Sequence, residues 1–462
     1  MKKLILLFTI IFVRLLQTAP LDGAYNSCVT YEPNADSTVT NVYVLSLNDA
    51  IVIALKNNKD ILIAGQDINK SEAQINEAYG SAYPQINFAA SYQRFIDLPA
   101  IFIAPNTPFN KSNQTMTMKM GASNSYSGML SLNQVLFSAK LNTAIEAAKE
   151  YQNYSKSNSQ ATREDVELNV KKAYYAVLMS KSVVDVSRQS LNLAKANYET
   201  VSQLYKQGMA AEFDYLRADV QVANTEPVVI QAENNLVLAM NGLKNAMGID
   251  LTKSIALSGL LELEEVPEIV IESESKLALD RNSTLQGLQS QENLLDKNIK
   301  LQKAEYYPTV AAFGQYQYQA QDNTFQFGNY NWAKNFVVGL QLSYPVFNGM
   351  QTKYKAEQAQ IDKDKLVLNR MKFEDGIRIQ VESSKLKMNE AKQRINAQLR
   401  SVEQATKAVG IAEVRFKNGL GTQVELIDAQ VALTRTQINK AQAVYDYLVS
   451  KADWERQSGY KK

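Results

Sequence analysis

Four stretches of the chain alternate between apolar and polar residues, a pattern typical of β-strands whose two faces meet different surroundings. We predict strands over about residues 84–95, 124–136, 308–320 and 336–347. In the first stretch Ile86, Phe88 and Tyr92 point to one side, while mainly glutamine, asparagine and serine point to the other. Each stretch has about ten residues, the length that a tilted strand needs to cross a bilayer. An ordinary soluble sheet with one buried face is the alternative.

Two long segments carry apolar residues at steps of three and four, which predicts helices that pack side by side as coiled coils. The first runs without proline or glycine from Ser138 to Gln207. Its roughly 70 residues would span about 105 Å as a helix, far more than one ordinary globular domain contains. The stripe positions are Leu191, Ala194, Tyr198, Val201 and Tyr205 in the first segment and Val402, Ala405, Val409, Ala412 and Phe416 in the second.

The second half of the chain repeats the first. The matching residues are Ala54, Leu55 and Asn58 with Ala278, Leu279 and Asn282, Tyr83 and Pro84 with Tyr307 and Pro308, Gly208 with Gly419, and Gly248 with Gly459. We interpret residues 45–248 and 273–459 as two structural repeats. Each has the order helix, strand, loop, strand, very long helix, turn and return helix. Residues 249–272 are interpreted as a connector outside the waist of the helical part, and the strand-joining loops, about 96–122 and 321–334, as polar and irregular.

Prolines mark the predicted ends of two helices. Pro84 and Pro308 lie where a short helix gives way to a strand, because proline cannot continue a helix interior and favours an extended residue before it. Pro227 differs, since it lies inside the first return helix and its counterpart in the second repeat is Ile438. We expect a local kink or insertion at Pro227.

Composition excludes several classes of function. The chain has no histidine and one cysteine, which removes histidine-based catalysis, histidine-ligated metals and cysteine clusters. Its 49 lysines and arginines balance 47 aspartates and glutamates, so the basic excess typical of a nucleic-acid binder is missing. We therefore expect that the protein is not an enzyme and that it has no cofactor, no metal site and no nucleic-acid partner.

The N-terminus has the features of a secretory signal, predicted over residues 1–24: Lys2 and Lys3 precede an apolar core from Leu4 to Val13. Cys28 is a candidate lipid anchor; the residues before it match an acylation box poorly, and an incidental thiol is the alternative. No other stretch has about 18 consecutive apolar residues, so a mature protein in a membrane would have to span it as a closed β-barrel. Four strands cannot close a barrel, whereas three copies would supply twelve.

The turns after the long helices carry the most specific motifs. They begin Tyr205-Lys206-Gln207-Gly208 and Phe416-Lys417-Asn418-Gly419, and each leads into an acidic and aliphatic segment. Together with the repeated plan, these turns resemble those of the TolC-like outer membrane efflux protein family, over nearly all of the mature chain. The resemblance implies an α+β membrane protein: a trimeric 12-stranded β-barrel, four strands from each protomer, continuous with a long α-helical coiled-coil tunnel in the periplasm.

The same resemblance implies partners and a site. The partners are outer-membrane lipid, a periplasmic adaptor (membrane fusion) protein and, through the adaptor, an inner-membrane pump. Gly208 and Gly419 fit helix-ending glycines, and with Leu420 and Gly421 they are candidates for adaptor docking at the periplasmic tip. Glu425 and Asp428, with Asp214 less strongly supported, are candidates for a channel constriction; solvated surface carboxylates are the alternative. Gly421 and Phe416 depart from a family version in which arginine and tyrosine form a polar lock.

The implied function is the outer-membrane channel of a tripartite efflux or type I secretion system in a bacterial cell. Such a channel is a passive conduit for small molecules or proteins. Two alternatives stay open: a trimeric outer-membrane conduit dedicated to protein secretion, and a periplasmic adaptor with a helical hairpin. The duplicated strand pairs argue against the adaptor, which would carry one hairpin and a lipoyl-like or barrel domain.

Overall fold

The computed structural model of the chain describes residues 43–460. From Val44 onward the chain forms one compact unit, so the two repeats pack together and are not separate domains. The predicted signal peptide and Cys28 lie outside the described residues.

The first repeat contains five strands and four helices. They are β1 (Tyr43–Leu45), α1 (Leu47–Asn57), α2 (Lys59–Gly80), β2 (Gln85–Arg94), β3 (Ala100–Ile103), β4 (Met116–Lys119), β5 (Asn124–Ser138), α3 (Ala139–Lys206) and α4 (Glu212–Met247). The segment after it contains β6 (Ile255–Leu257), which pairs with β1, and α5 (Glu268–Lys276).

The second repeat has the same plan without the small β3–β4 pair. Its elements are α6 (Ala278–Arg281), α7 (Ser283–Lys303), β7 (Thr309–Asp322), β8 (Ala333–Ser343), α8 (Gln351–Lys417) and α9 (Gln423–Ser458). The two long helices, α3 and α8, have 68 and 67 residues, and the two return helices, α4 and α9, have 36 each. At about 1.5 Å per residue, each long helix extends about 100 Å.

The residues that recur between the repeats make the same contacts twice. The side-chain amide of Asn58 donates to the carbonyl of Ala246 at 2.8 Å, and that of Asn282 donates to the carbonyl of Gln457 at 3.1 Å. Each asparagine also caps the helix that follows it, by accepting a backbone N–H. These bonds tie the end of each return helix to the start of its own repeat.

The recurring glycines at these helix ends are required by both backbone conformation and space. Gly248 and Gly459 have φ of 69° and 66°, the left-handed region that glycine occupies readily. A Cβ on Gly248 would overlap the carbonyl of Asn57, and a Cβ on Gly459 would lie 3.0 Å from the carbonyl oxygen of Arg281. Asn57 and Arg281 are equivalent positions, so the close approach is duplicated as well.

The long helices pack in hairpins that share neighbours. Helix α3 packs against α4, α8 against α9, α9 also against α3, and α7 against both long helices. Of the predicted stripe, Ala194, Val201 and Val409 are buried, Tyr198 is half-buried, and Tyr205 remains exposed in the single chain. Most positions of the stripe thus lie at the contact between the two helices of each hairpin.

The hydrophobic core lies where the far ends of the return helices meet α1, α3 and α8. Trp454, Leu243 and Met247 are fully buried there, beside Tyr174 and Tyr447. The connector contributes to this core through β6 and α5, whose Ser275 hydroxyl accepts from the Trp454 indole at 3.1 Å. α5 extends to Lys276, beyond the range assigned to the connector from the sequence.

Two local expectations differ from the structure, and a third is answered in part. Helix α4 continues through Pro227, and the equal length of the two return helices leaves no room for an insertion, while the kink expected at Pro227 stays a prediction. The fourth strand covers Ala333–Ser343 and not 336–347, because Pro345 has no N–H to extend the ladder. The loop around 96–122 is not irregular, since it contains the hairpin β3–β4, whose four-residue strands are too short to stand out as an alternating pattern.

Candidate functional site: the four-stranded sheet and the helix tips

The strands of both repeats form one antiparallel sheet in the order β2-β5-β7-β8. Its centre is the pairing of β5 with β7, which joins the two repeats, and a bulge between Val135 and Phe137 interrupts that pairing near the helical side. β2 and β8 are the two edges, and each has one strand neighbour among the described residues.

One face of the sheet is apolar along its length. The register aligns Phe88 with Leu130, Leu130 with Tyr316, and Tyr316 with Phe336. Phe88 and Leu340 are each more than 70% exposed, so the middle of this face is uncovered among residues 43–460. The other members of the face are Ile86, Ala90, Leu132, Val310, Ala312, Val338 and Leu342.

The opposite face of the sheet is mostly polar. On this face no residue of β2 between Gln85 and Gln93 is charged, and neither is any residue aligned with them on β5, β7 or β8. Its polar members are Gln85, Asn87, Ser91, Gln93, Ser125, Ser127, Ser131, Asn133, Gln315, Gln317, Gln319, Gln321, Asn335, Gln341 and Ser343. The side chains bond to one another: Ser91 and Ser127 hydroxyls are 2.9 Å apart, and Gln317 donates to Gln319 at 3.1 Å. The alternation predicted from the sequence is confirmed by this register.

Aromatic side chains gather at the loop end of the apolar face. Tyr92 stacks on Tyr126 and Tyr318 stacks on Trp332, each pair with ring centroids 4.8 Å apart. At the helical end, exposed aromatic residues flank the strands: Tyr83, Phe137, Tyr306, Tyr307, Tyr344 and Phe347. Between Tyr83 and Tyr92 a strand extends about 30 Å, which is close to the thickness of a bilayer core before tilt is taken into account.

The junction of helices and strands is held by a carboxylate. Glu305, in the 3₁₀ turn before Pro308, accepts from Lys140 at the start of α3 at 2.8 Å and from Lys355 of α8 at 3.2 Å. Hydrogen bonds from these two lysines hold the pKa of Glu305 below its ordinary value. Pro84 and Pro308 lie directly before β2 and β7, at the positions that the sequence predicted for the transition.

Both helix tips end with the same local geometry. Gly208 and Gly419 have φ of 72° and 70°. The N–H after each glycine donates back to the long helix, Met209 to the carbonyl of Leu204 and Leu420 to that of Arg415, both at 2.8 Å. This is the glycine-ended turn expected for a helix C-terminus. Leu420 is exposed beyond it.

The second tip contains an ion pair that the sequence analysis missed. Arg415 Nη2 lies 3.7 Å from Glu425 Oε2 and donates to the carbonyl of Leu420 at 3.0 Å. A Cβ on Gly421 would lie 3.1 Å from the same carboxylate oxygen, so a larger residue there would crowd it. Arg415 has no charged counterpart in the first repeat, where Leu204 occupies its position, so the repeat comparison gave no signal for it.

The acidic candidates lie on two different hairpins. Glu425 and Asp428 are exposed in the first two turns of α9, three residues apart and therefore neighbours on the helix surface. Asp214 is half-buried in the first turn of α4. Beside it Tyr215 packs between Tyr205, with ring centroids 5.3 Å apart, and Tyr198, whose hydroxyl is 3.1 Å from its own.

Two further features are absent from residues 43–460. Among these residues no helix has both the length and the apolarity to cross a membrane. In the same part of the chain no group of three or more cysteine, aspartate or glutamate side chains is arranged to hold a metal ion.

Comparison with known proteins agrees with this geometry. The model of the family "Outer membrane efflux protein" matches residues 50–249 and 275–455. Outer membrane protein TolC of Vibrio cholerae is 23% identical over 407 residues, covering 86% of each chain. Alkaline protease secretion protein AprF of Pseudomonas aeruginosa is 21% identical, covering 90% of this chain and 84% of its own.

The fold has solved counterparts. The CmeC outer membrane channel of Campylobacter jejuni superposes with a TM-score of 0.69 at 16% identity, over 89% of this chain and 85% of that one. The two segments matched by the family model cover the paired strands, both long helices and both return helices. The chain therefore belongs to the outer membrane efflux protein family.

Proposed function

We propose that three copies of this chain form a passive conduit across the outer membrane and the periplasm, the outer-membrane component of a tripartite efflux or type I secretion system. The observation that carries the proposal is the sheet, which has an uncovered apolar face, an uncharged polar face and two open edges. Membership of the family supports the location in the outer membrane.

The open edges support assembly into a closed barrel. An unpaired strand edge exposes N–H and C=O groups, which lipid cannot satisfy. Pairing β2 of one copy with β8 of the next removes every edge, and three copies give twelve strands, enough to close a barrel. The apolar face would then meet lipid and the polar face would line the lumen, with the aromatic groups at its two ends near the membrane interfaces.

The exposed apolar residues of helices α8 and α4 support assembly of several copies, independently of the sheet. Many of their apolar side chains remain exposed in the single chain, which is unusual for a finished surface. On α8 these are Ile361, Leu368, Ile379, Leu386, Leu399, Ile411 and Val414, and on α4 they are Phe213, Leu216, Val220, Val228, Ile230, Val237 and Leu238. Neighbouring copies would bury them in a continuous helical tunnel.

The tips would meet the partners. Gly208, Gly419, Leu420 and Gly421 form the exposed turns that a periplasmic adaptor would contact, and an inner-membrane pump would connect through that adaptor.

Family membership removes the support for the alternative in which the chain is itself the adaptor. AprF is named for protease secretion, so a conduit dedicated to protein secretion remains the second candidate.

The acidic residues near the tip would form the constriction. Three copies would bring Glu425 and Asp428 around one axis, with Asp214 nearby, and like charges in a narrow space favour cations. Arg415 changes this proposal, because it neutralises part of the charge of Glu425. Asp428 is then the carboxylate with the larger share in selectivity.

Mass measurement and planar-bilayer recording test the conduit. Detergent-extracted protein should have the mass of three chains and should conduct ions across a bilayer. A stable folded monomer that gives no conductance would refute the proposal.

The constriction has its own test. The double variant Glu425→Gln, Asp428→Asn should shift the reversal potential under a salt gradient toward anion permeability. Glu413→Gln, which removes a carboxylate paired with Lys417 on α8, is the matched control and should shift it little. Unchanged ion selectivity in the double variant would show that Glu425 and Asp428 are solvated surface charges and do not form the constriction.

A further inference from the structure

The hairpin β3–β4 concentrates methionine. Met116, Met118 and Met120 occupy every second position of one short segment. The chain has 12 methionines in 462 residues, so three of the twelve lie within five positions. The link between β7 and β8 in the second repeat contains none, so this feature belongs to the first repeat alone.

The three side chains share one face of the hairpin, because alternate residues of a strand point the same way. Met116 pairs with Ile103 and Met118 with Ile101 across the two strands. The N–H of Met120 donates to the carbonyl of Pro99 at 3.0 Å and continues the pairing past the end of β4. The methionines are 45%, 41% and 49% exposed, so all three residues lie at the surface of the hairpin.

The loop that carries them is held in one arrangement by its own polar contacts. Asn110 is buried and donates to the carbonyls of Ile103 at 3.1 Å and Gln114 at 2.8 Å. Its side-chain oxygen accepts from Ser112, and Lys119 pairs with Asp97 at the base of the hairpin. The thioethers are therefore presented on an ordered support.

Thioether chemistry suggests what this face binds. A two-stranded hairpin with half-exposed methionines has no core for them to fill, and leucine would serve equally as apolar cover. Thioether sulfur is a soft ligand that favours Cu(I) and similar ions over hard cations. Alternate Cα atoms of a strand are about 6.7 Å apart, and the flexible methionine side chain lets two neighbouring sulfur atoms converge on one ion.

We propose that Met116, Met118 and Met120 form a binding site for a soft monovalent cation, Cu(I) or Ag(I). Met118 belongs to both neighbouring pairs and is the central ligand. The site needs only this hairpin and does not depend on the conduit function.

Silver ion is the probe, because it does not change oxidation state in air. The full-length protein in detergent is titrated in nitrate buffer, since chloride precipitates silver, and every variant carries Cys28→Ser to remove the only thiol. The parent should bind one silver ion per chain. Met118→Leu should weaken binding by more than about tenfold, and Met116→Leu or Met120→Leu by less, because each of these leaves one thioether pair intact.

The matched control separates this site from methionine in general. Leucine replaces methionine at little cost in stability, so the triple variant Met116→Leu, Met118→Leu, Met120→Leu should fold and lose the silver ion. Met209→Leu, Met350→Leu and Met371→Leu together remove three other exposed methionines and should leave binding unchanged. Silver X-ray absorption should detect sulfur neighbours in the parent. Equal binding by the parent and the hairpin triple variant, or no binding by the parent, would overturn the proposal.

Discussion

At the scale of single residues, the most consequential groups are charges buried at the core. Arg456 of α9 is 7% exposed, with its guanidinium 2.7 Å from Asp165 and 3.3 Å from Glu164 of α3. Lys171 of α3 pairs with Glu455 at 2.9 Å and with Glu167 at 3.0 Å. Burial opposes the charge of Lys171, but these carboxylates outweigh it and raise its pKa. The ion pairs therefore fix how the second repeat docks on the first.

Replacing Arg456 with methionine should destabilise the protein by about 3–5 kcal/mol, because the Glu164 carboxylate, only 14% exposed, stays buried without its cation. The control is Arg415→Met at the tip, whose ion pair with Glu425 is half-exposed on both sides. An exposed pair contributes at most about 1 kcal/mol. Denaturant unfolding followed by helical circular dichroism measures both. Equal losses would contradict the difference in burial.

Glu305 makes stability depend on pH at the helix–strand junction. Because its pKa is lowered, the ionised carboxylate stabilises the fold above its ordinary pKa of 4.5, and this contribution disappears as pH falls through the lowered value. Glu305→Gln should therefore unfold at a lower temperature than the parent near neutral pH, with the difference vanishing in acid. Thermal unfolding at a series of pH values measures this.

The control for this experiment is Glu357→Gln, a change at an exposed position of α8. The difference between Glu357→Gln and the parent should stay small at every pH. If Glu305→Gln gave the same flat difference, Lys140 and Lys355 would not be acting on its carboxylate.

At the scale of elements, the two repeats obey the same local rules with different contacts. Glycine in the left-handed region ends α3, α4, α8 and α9 alike. Gly208 and Gly419, at the tips, have open space around the missing Cβ, whereas Gly248 and Gly459 touch the backbone of the short helices. Gly208 and Gly419 are thus needed only for their left-handed backbone conformation. Gly248 and Gly459 are needed for that conformation and also for the close approach of the short helices.

Alanine substitutions should separate these two needs. Gly208→Ala should cost about 1–2 kcal/mol, the strain of a Cβ in the left-handed region. Gly248→Ala should cost distinctly more, because its Cβ would overlap the carbonyl of Asn57. Gly410→Ala, in an exposed helix interior with open space, should stabilise by about 0.5–1 kcal/mol. Unfolding free energies of the three variants provide the comparison, and equal costs at Gly208 and Gly248 would refute the packing argument.

At the scale of the whole molecule, the sheet and the helices are incomplete in one chain. In the proposed trimer, lipid would cover the apolar face, neighbouring strands would pair with both edges of the sheet, and neighbouring helices would cover the exposed apolar residues of α4 and α8. The proposed lumen wall carries amides and hydroxyls and no charge over its central rows. Charge selectivity would then come from the tip and not from the barrel.

Added charge on the wall tests which face is the lumen. Gln317→Glu with Gln319→Glu should leave assembly intact and shift the reversal potential further toward cation permeability than in the parent, because the carboxylates would line water. Val338→Glu puts one carboxylate on the apolar face and should instead lower the yield of folded protein in bilayers. Reversal potentials and folding yield measure the two effects. If the Gln317→Glu, Gln319→Glu variant failed to fold while Val338→Glu folded normally, the assignment of the two faces would be reversed.

The sequence by itself determined the local elements, because their causes are local. Alternation marked the four strands, the stripe marked the long helices, and glycine and proline marked their ends near Gly208, Gly419, Pro84 and Pro308. The family resemblance stated from the turns was confirmed by the family match. The predicted end of the fourth strand was wrong, because Pro345 interrupts the strand although the apolar pattern continues. The prediction of an irregular first loop was also wrong, because four-residue strands leave little periodicity in the sequence.

Only the tertiary structure decided which residues meet between helices. Arg415 and Glu425 are ten positions apart on two helices, and Arg456 lies almost 300 residues from Asp165. Nothing in the pattern around each residue identifies its partner, because ion pairing depends on how helices dock and not on periodicity. The repeated bonds of Asn58 and Asn282 show the same limit: the sequence revealed that these asparagines recur, and the structure gave the reason, since each one joins the first helix of its repeat to the end of the last.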